Sequence, residues 1–308
     1  MLDGFGKVPS YPEPRDDDIV VSQSTIGSMQ LCPGRVGLSQ VEGFYATPSE
    51  AMFFGSVVHH MIEKFLLLGD PGAWPFELST TEAIRQAMDD AAVDESHGTA
   101  GHFVIDEVAT PDQVLMFIAE IRESVMAWYS QVWTAWFHEI NITAMEQKLI
   151  MPLGILPDGR AVWLRGTPDV TTGGGIYDWK TSKKAWLLNS DGLSKGSFGP
   201  QAPLYLALTG QRSGHFTFVV YDRATQKWET HPTVWSEEQV KASVLNAWET
   251  GKQIGAQGFP YTPFESSYGK YKRGWHCSPQ YCGAWDVCPG KDSISDGVDT
   301  TVKIDRRW

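Results

Sequence analysis

The sequence lacks any long hydrophobic run. Its apolar stretches fall far short of the roughly 18 residues that a membrane-spanning helix needs, so no membrane association is expected. Residues Met1 to Val20 hold no apolar segment, and no secretion signal is expected either. Cysteine is scarce, at four in 308 residues. In a cytoplasmic chain, the location expected here, four cysteines are read as ligands rather than disulfides. Net positive charge is missing, the formal charge being −12. Taken alone this argues against a nucleic-acid binder, but acids gathered in an active site count in that sum as much as surface acids do. No Gly-xxxx-Gly-Lys-Ser/Thr loop occurs, which excludes that type of nucleotide-driven motor, and there is no repeat or low-complexity tract. The remaining composition is that of an ordinary globular chain with 42% hydrophobic and 20% charged residues. Thirteen tryptophans is a high number, and fits a large core, an aromatic ligand surface or both.

Local signals divide the chain by period. Residues 1–20 are rich in Pro, Gly and Asp and read as an irregular arm. Ser22 to Leu31 predicts a short helix that stops near Cys32-Pro33-Gly34. Thr47-Pro-Ser-Glu50 is a capping box that opens a helix to about Leu68. Ser79-Thr-Thr-Glu82 opens a second to about Asp94, and Thr110-Pro-Asp-Gln113 a third to about Phe137. Strands are predicted over Met145–Pro152, Ala161–Thr172 and Ile176–Thr181, followed by a helix over Phe198–Thr209. Two more strands, Gly214–Tyr221 and Lys227–Thr233, precede a helix capped by Ser236 and running to about Ile254. The order predicts an α/β core with a mixed sheet, preceded by a helical insertion.

The stretch from Asp169 to Lys180 reads as a β-hairpin. A turn centred on Gly173-Gly174 sets Asp169 opposite Asp178, with opposed side chains roughly 5 Å apart. Asp178 and Lys180 share one face of their strand. Opposed carboxylates repel unless a cation sits between them, so the hairpin predicts a divalent metal site. An isolated Asp-x-Lys is more often a solvated strand face, and three further features bear on it. His59, on the first long helix, offers a nitrogen ligand, with Glu63 one turn on as either its supporting acid or a solvated residue. Gln201 and Tyr205 share a helix face and can hydrogen-bond a phosphate or a water. Glu146 is either a further acid near the metal or an exposed strand carboxylate.

In chain order, Gly55-xxx-His59, Gly166-xx-Asp169, Asp178-Trp-Lys180-Thr and Gln201-xxx-Tyr205 resemble the successive motifs of the RecB-like branch of the PD-(D/E)XK nucleases. The resemblance covers roughly residues 50–210. It implies a restriction-endonuclease-like α/β core, with a central mixed sheet flanked by helices. It also implies that His59, Asp169, Asp178 and the backbone carbonyl of Trp179 hold Mg²⁺ or Mn²⁺. Lys180 would orient water and stabilise charge on the phosphate, while Gln201 and Tyr205 steady DNA or the nucleophile. Some relatives carry Glu where this chain has Asp178.

Cys32 stands far from Cys277-x4-Cys282-x5-Cys288. Zinc sites show closer Cys-x2-Cys pairs. One distant cysteine with three clustered ones resembles the iron–sulfur nuclease domains of the helicase–nuclease AddB and of the CRISPR-associated RecB-like exonucleases. That resemblance implies a structural [4Fe–4S] cluster on the four thiolates. Zn²⁺ and unliganded or disulfide-bonded cysteines are the alternatives. Lys183 and Lys184 with Trp186, and Lys270, Lys272 and Arg273 among tail aromatics, suit a single DNA strand whose bases stack while its phosphates pair. Solvated lysines over packed aromatics are the plainer reading.

The expected organisation is one nuclease domain over 1–308. Within it, residues 20–47 form a helix and loop carrying the first cluster cysteine, and 48–140 a helical region. Residues 141–256 form the catalytic core, and 257–308 a cluster-binding tail. The resemblance implies a metal-dependent DNA exonuclease that digests single strands from an end, 5′ to 3′ favoured. Its partners would be recombination or CRISPR-adaptation proteins, and its location the cytoplasm, that of a host if phage-encoded. The alternatives are a subunit that only holds DNA ends, for recombination or spacer acquisition, and a zinc-stabilised endonuclease.

Overall fold

Capping chemistry sets most helix boundaries. The computed structural model describes residues 11–40, 50–68, 79–93, 110–182 and 201–256. Helix α1 (Gln23–Leu31) starts where the Ser22 hydroxyl accepts from the Thr25 N–H. It ends at Cys32 as predicted, and Pro33 then opens a second helix, α2 (Pro33–Gln40), at a position where a missing N–H costs nothing. Helix α3 spans Glu50–Leu68 and α4 Thr81–Val93. The capping box of Thr110 and Gln113 opens α5 (Pro111–Trp128). The predicted continuation to Phe137 is broken. One π-helical turn covers Tyr129–Trp133, and a short 3-10 turn covers Phe137–Glu139. The hydroxyls of Ser130 and Thr134 donate back to main-chain carbonyls here and compete with the regular ladder.

The described residues within Pro48–Leu149 and Gly166–Ser243 form one compact unit. Its five-stranded sheet has the order β2-β5-β6-β7-β8, with β2 Ile142–Met145, β5 Val170–Thr172, β6 Gly175–Ser182, β7 Gly214–Asp222 and β8 Lys227–Trp235. Only β6 and β7 pair in parallel, so the sheet is mixed. Parallel neighbours need a crossover, and the segment between them carries α6 (Gln201–Leu208). Helices α3, α4 and α5 bury Phe54, Val58, Met61, Ile84, Ile121 and Trp128 with Val170, Trp179, Val219 and Tyr221 of the sheet. A second core sets Ala202 and Leu206 of α6, with Val240, against Ile176, Phe216, Phe218 and Val220. Arg223, just past β7, fastens α3 to this layer. Its guanidinium bonds Glu50 at 2.7 Å and Glu120 at 2.5 Å and lies 4.1 Å over the Phe54 ring.

The described residues within Tyr11–Thr47, Ile150–Arg165 and Val244–Trp308 form a second unit. A three-stranded sheet orders β1 (Ile19–Val21), β4 (Ala161–Gly166) and β3 (Leu149–Ile155). Helix α7 (Glu237–Gly255) begins in the first unit and ends in this one. The stretch predicted as irregular through Val20 ends instead in β1, whose Ile19–Val21 pair in parallel with β4, Ile19 opposite Val162. Asp18 explains why. Its carboxylate accepts from the Ala161 N–H at 2.8 Å and the Trp163 indole at 3.0 Å, and pairs with Arg15 at 2.9 Å.

Two predicted strands are interrupted. Met145–Pro152 breaks at Glu146, which has a φ of +43°, before β3 begins at Leu149. Ala161–Thr172 divides into β4 and β5 around Pro168, which has no N–H to give a ladder.

Arg15 and the donors around it hold Asp18 well below the usual carboxylate range. A depressed carboxylate contributes stability above its unfolded pKa of about 3.9, and loses it as pH falls through the folded value. Asp18→Ala is therefore expected to lower the melting temperature at pH 7. The gap to wild type should narrow as pH falls from about 4 toward 2, which thermal melts across that range would measure.

Candidate metal centre

The β5–β6 hairpin has the register read from its turn. Val170 lies opposite Tyr177 and Thr172 opposite Gly175, so the next pair outward is Asp169 with Asp178. Both acids are buried, at 7% and 1% exposure. Beneath them Trp179 packs edge-on against Trp128 and Phe137, with ring centroids 5.7 and 5.2 Å away.

The two acids have different partners. Asp169 Oδ2 accepts the Trp179 N–H, and His59 Nδ1 stands 3.6 Å from the same oxygen. Burial pushes Asp169 up, but His59, Lys180 and the Trp179 N–H together hold it below the usual carboxylate range. Asp178 pairs with the Lys180 ammonium through Oδ2, and its Oδ1 accepts from Gln201 Nε2 at 3.0 Å. Burial pushes Asp178 up to about 6 against the pull of Lys180. The Lys180 ammonium also donates to the Trp179 carbonyl at 3.2 Å.

Two glycines let helices approach closely enough to deliver the remaining groups. A Cβ on Gly55 would stand 3.0 Å from Thr181 Oγ1, so α3 can lie against β6, and one turn later His59 reaches Asp169. A Cβ on Gly166 would stand 2.6 Å from the Tyr205 ring, so α6 can close on the segment leading to Asp169. The Tyr205 hydroxyl meets the Thr167 N–H and the Gln201 side chain. Burial and the nearby charges of Asp178 and Asp169 raise its pKa. Gln201 is itself buried, and its Oε1 has no partner among the described residues.

His60 turns the other way, to Asp90 at 3.2 Å and Glu63 at 3.7 Å. Glu63 therefore supports His60, and the sequence reading of Glu63 as the acid behind His59 is corrected. One residue that the sequence left ambiguous also falls here. Glu146 is not an exposed strand carboxylate: ligand atoms of His59, Glu146 and Asp169 all lie within 4.8 Å of one another. Burial and then the charge of Asp169 push Glu146 up to about 10. A left-handed glutamate just past a strand end leaves no signal in hydrophobic period, which is why the residue was only half legible.

A half-buried imidazole with crowded carboxylates is the donor set of a site for a divalent cation, so the residues present fit Mg²⁺ or Mn²⁺. Cys32 caps α1. Cys277, Cys282 and Cys288 lie outside the described residues, as do Lys183, Lys184, Trp186, Lys270, Lys272 and Arg273. Among the described residues no helix is long and apolar enough to cross a membrane.

Two changes test this geometry. Lys180→Met removes the charge that restrains Asp178, so its carboxyl should titrate above about 6 in a carbon-13 NMR titration of the metal-free protein. Gly55→Val forces a methyl toward Thr181 and should lower stability by about 1–3 kcal/mol in urea unfolding.

A family model described as the PD-(D/E)XK nuclease superfamily matches residues 20–289. The comparison with curated proteins returns no match. Among solved structures, one titled "Crystal structure of SSO0001" is similar at 14% identity and a TM-score of 0.38, over 91% of this chain and 89% of that one. From a match of that length to the family model, the chain belongs to the PD-(D/E)XK nuclease superfamily, whose members cleave nucleic acid with divalent cations such as Mg²⁺ or Mn²⁺.

Proposed function

We propose that this nuclease is a DNA exonuclease of the RecB-like kind, digesting single strands from an end, with the 5′ end favoured. The observation that carries the reading is the buried Asp169–Asp178 pair with Lys180 on one side and His59 on the other. In this reading His59, Asp169, Asp178 and the Trp179 carbonyl hold the cation. A bound divalent cation would supply Lewis-acid chemistry, offsetting charge on the scissile phosphate. Lys180 donates to the attacking water or to the phosphate oxygens as their charge grows, and Asp178 keeps its ammonium in place. Gln201 acts through Asp178, which it fixes by hydrogen bond, and Tyr205 braces the backbone at Thr167.

The strand would be gripped by Lys183, Lys184 and Trp186 and by Lys270, Lys272 and Arg273, stacking bases and pairing phosphates. With a net charge of −12, binding through these few cations should be weak and should fall further as salt rises, with a slope set by their number. Cys32, Cys277, Cys282 and Cys288 would hold a structural [4Fe–4S] cluster. Recombination or CRISPR-adaptation proteins are the fitting partners, in the cytoplasm of a prokaryote or of a phage host.

Digestion of end-labelled single- and double-stranded DNA with Mg²⁺ or Mn²⁺ tests the activity. Wild type should shorten single strands progressively from one end, and Asp178→Ala should lose at least about a hundredfold in rate. Undiminished cleavage by the variant would remove Asp178 from the mechanism. Internal cuts preceding terminal loss would make the enzyme an endonuclease. Brown protein containing iron supports the cluster, whereas colourless, zinc-loaded protein from an anaerobic preparation would replace it with zinc.

A further inference from the structure

We infer that Glu146 is a further protein ligand of the cation, so that the end of β2 joins α3 (His59), the residue before β5 (Asp169) and β6 (Asp178 and the Trp179 carbonyl) in holding the ion. The inference rests on the metal-site reading above and extends it to a residue outside the four sequence motifs.

Three observations carry it. First, Glu146 supplies the third corner of the group in which all ligand atoms lie within 4.8 Å of one another. Asp178, the acid that the motifs pair with Asp169, also bonds Lys180 and Gln201, which leaves it fewer free lone pairs for the ion. The face of Asp169 toward His59 is therefore completed by Glu146. Second, the backbone at Glu146 is left-handed, with a φ of +43°. That conformation is uncommon for glutamate and recurs where a functional group must be aimed. The Glu146 N–H donates to the Asp169 carbonyl at 3.0 Å, so one residue both aims a carboxyl at the site and ties its own main chain to another ligand. Third, the carboxyl lies among the negative charges of Asp169, Glu63 and Asp178, with Lys180 the one opposing charge that acts on it. Among the described residues no side chain donates a hydrogen bond to it. A purely structural carboxyl would be placed beside donors, whereas a ligand is placed beside other ligands.

The test is Mn²⁺ binding by full-length protein, with free Mn²⁺ followed by electron paramagnetic resonance. The melting temperature of metal-free protein is measured alongside. Glu146→Gln should weaken Mn²⁺ binding about tenfold or more. It should leave the metal-free melting temperature unchanged or raised, because a repelled carboxyl is removed. Glu146→Gly, which accepts a φ of +43° without strain, should show the same loss of affinity. Unchanged Mn²⁺ affinity in both variants would overturn the inference, and so would a lowered metal-free melting temperature with affinity intact, the mark of a structural role. Asp169→Asn separates the two readings. If it loses Mn²⁺ while Glu146→Gln keeps it, Glu146 is no ligand and the metal centre stands. If wild type binds no Mn²⁺, both fall.

Discussion

Negative charge crowded where water is scarce is the constraint on which the first unit depends. Asp169 and Asp178 face each other across a hairpin, both nearly sealed from solvent. Glu146 closes in from the end of the neighbouring strand. Carboxylates so placed repel, and burial weakens the solvent screening that surface acids enjoy. The groups around them answer that repulsion. Lys180 pairs with one acid, His59 stands beside the other, and main-chain and amide N–H groups from Trp179 and Gln201 take up further lone pairs. One lysine and one imidazole leave three carboxyls incompletely balanced, and this imbalance is what a divalent cation would cancel.

The scaffold serves this crowding by keeping its parts stiff and close. Trp179 anchors the hairpin from below among Trp128 and Phe137, so the acids cannot easily part. The absence of a side chain at Gly55 lets α3 lie on β6, and the same absence at Gly166 lets α6 close over the approach to Asp169. Arg223 holds the first turn of α3 against α5. The residues of the candidate metal site thus come from a helix, a strand end and a hairpin, each fixed by packing. In the second unit the same economy appears at Asp18, where one carboxylate that accepts from the Arg15 main chain and guanidinium, the Ala161 N–H and the Trp163 indole stands just before the short strand Ile19–Val21.

Much of this was legible in the sequence because it rests on local chemistry. Thr110 and Ser236 announced their helices through capping boxes. Gly173-Gly174 set the hairpin register, which placed Asp169 opposite Asp178. His59 stands beside Asp169, whereas His60 pairs with Asp90. What escaped depended on distant contacts or on single-residue backbone conformations. Pro168 broke a strand whose hydrophobic period runs on past it. Glu146 took a left-handed turn that no pattern encodes, and the role of Glu63 was settled by a histidine one position along. Pairing of the arm at Ile19 came from acceptors on Asp18 for donors more than a hundred residues away.

Diffraction at the manganese absorption edge from crystals soaked in Mn²⁺ tests the central claim most directly. A strong anomalous peak is expected between His59 and Asp169, within roughly 2.5 Å of oxygen or nitrogen atoms from both. Peaks confined to surface acids, with none at the hairpin, would contradict it.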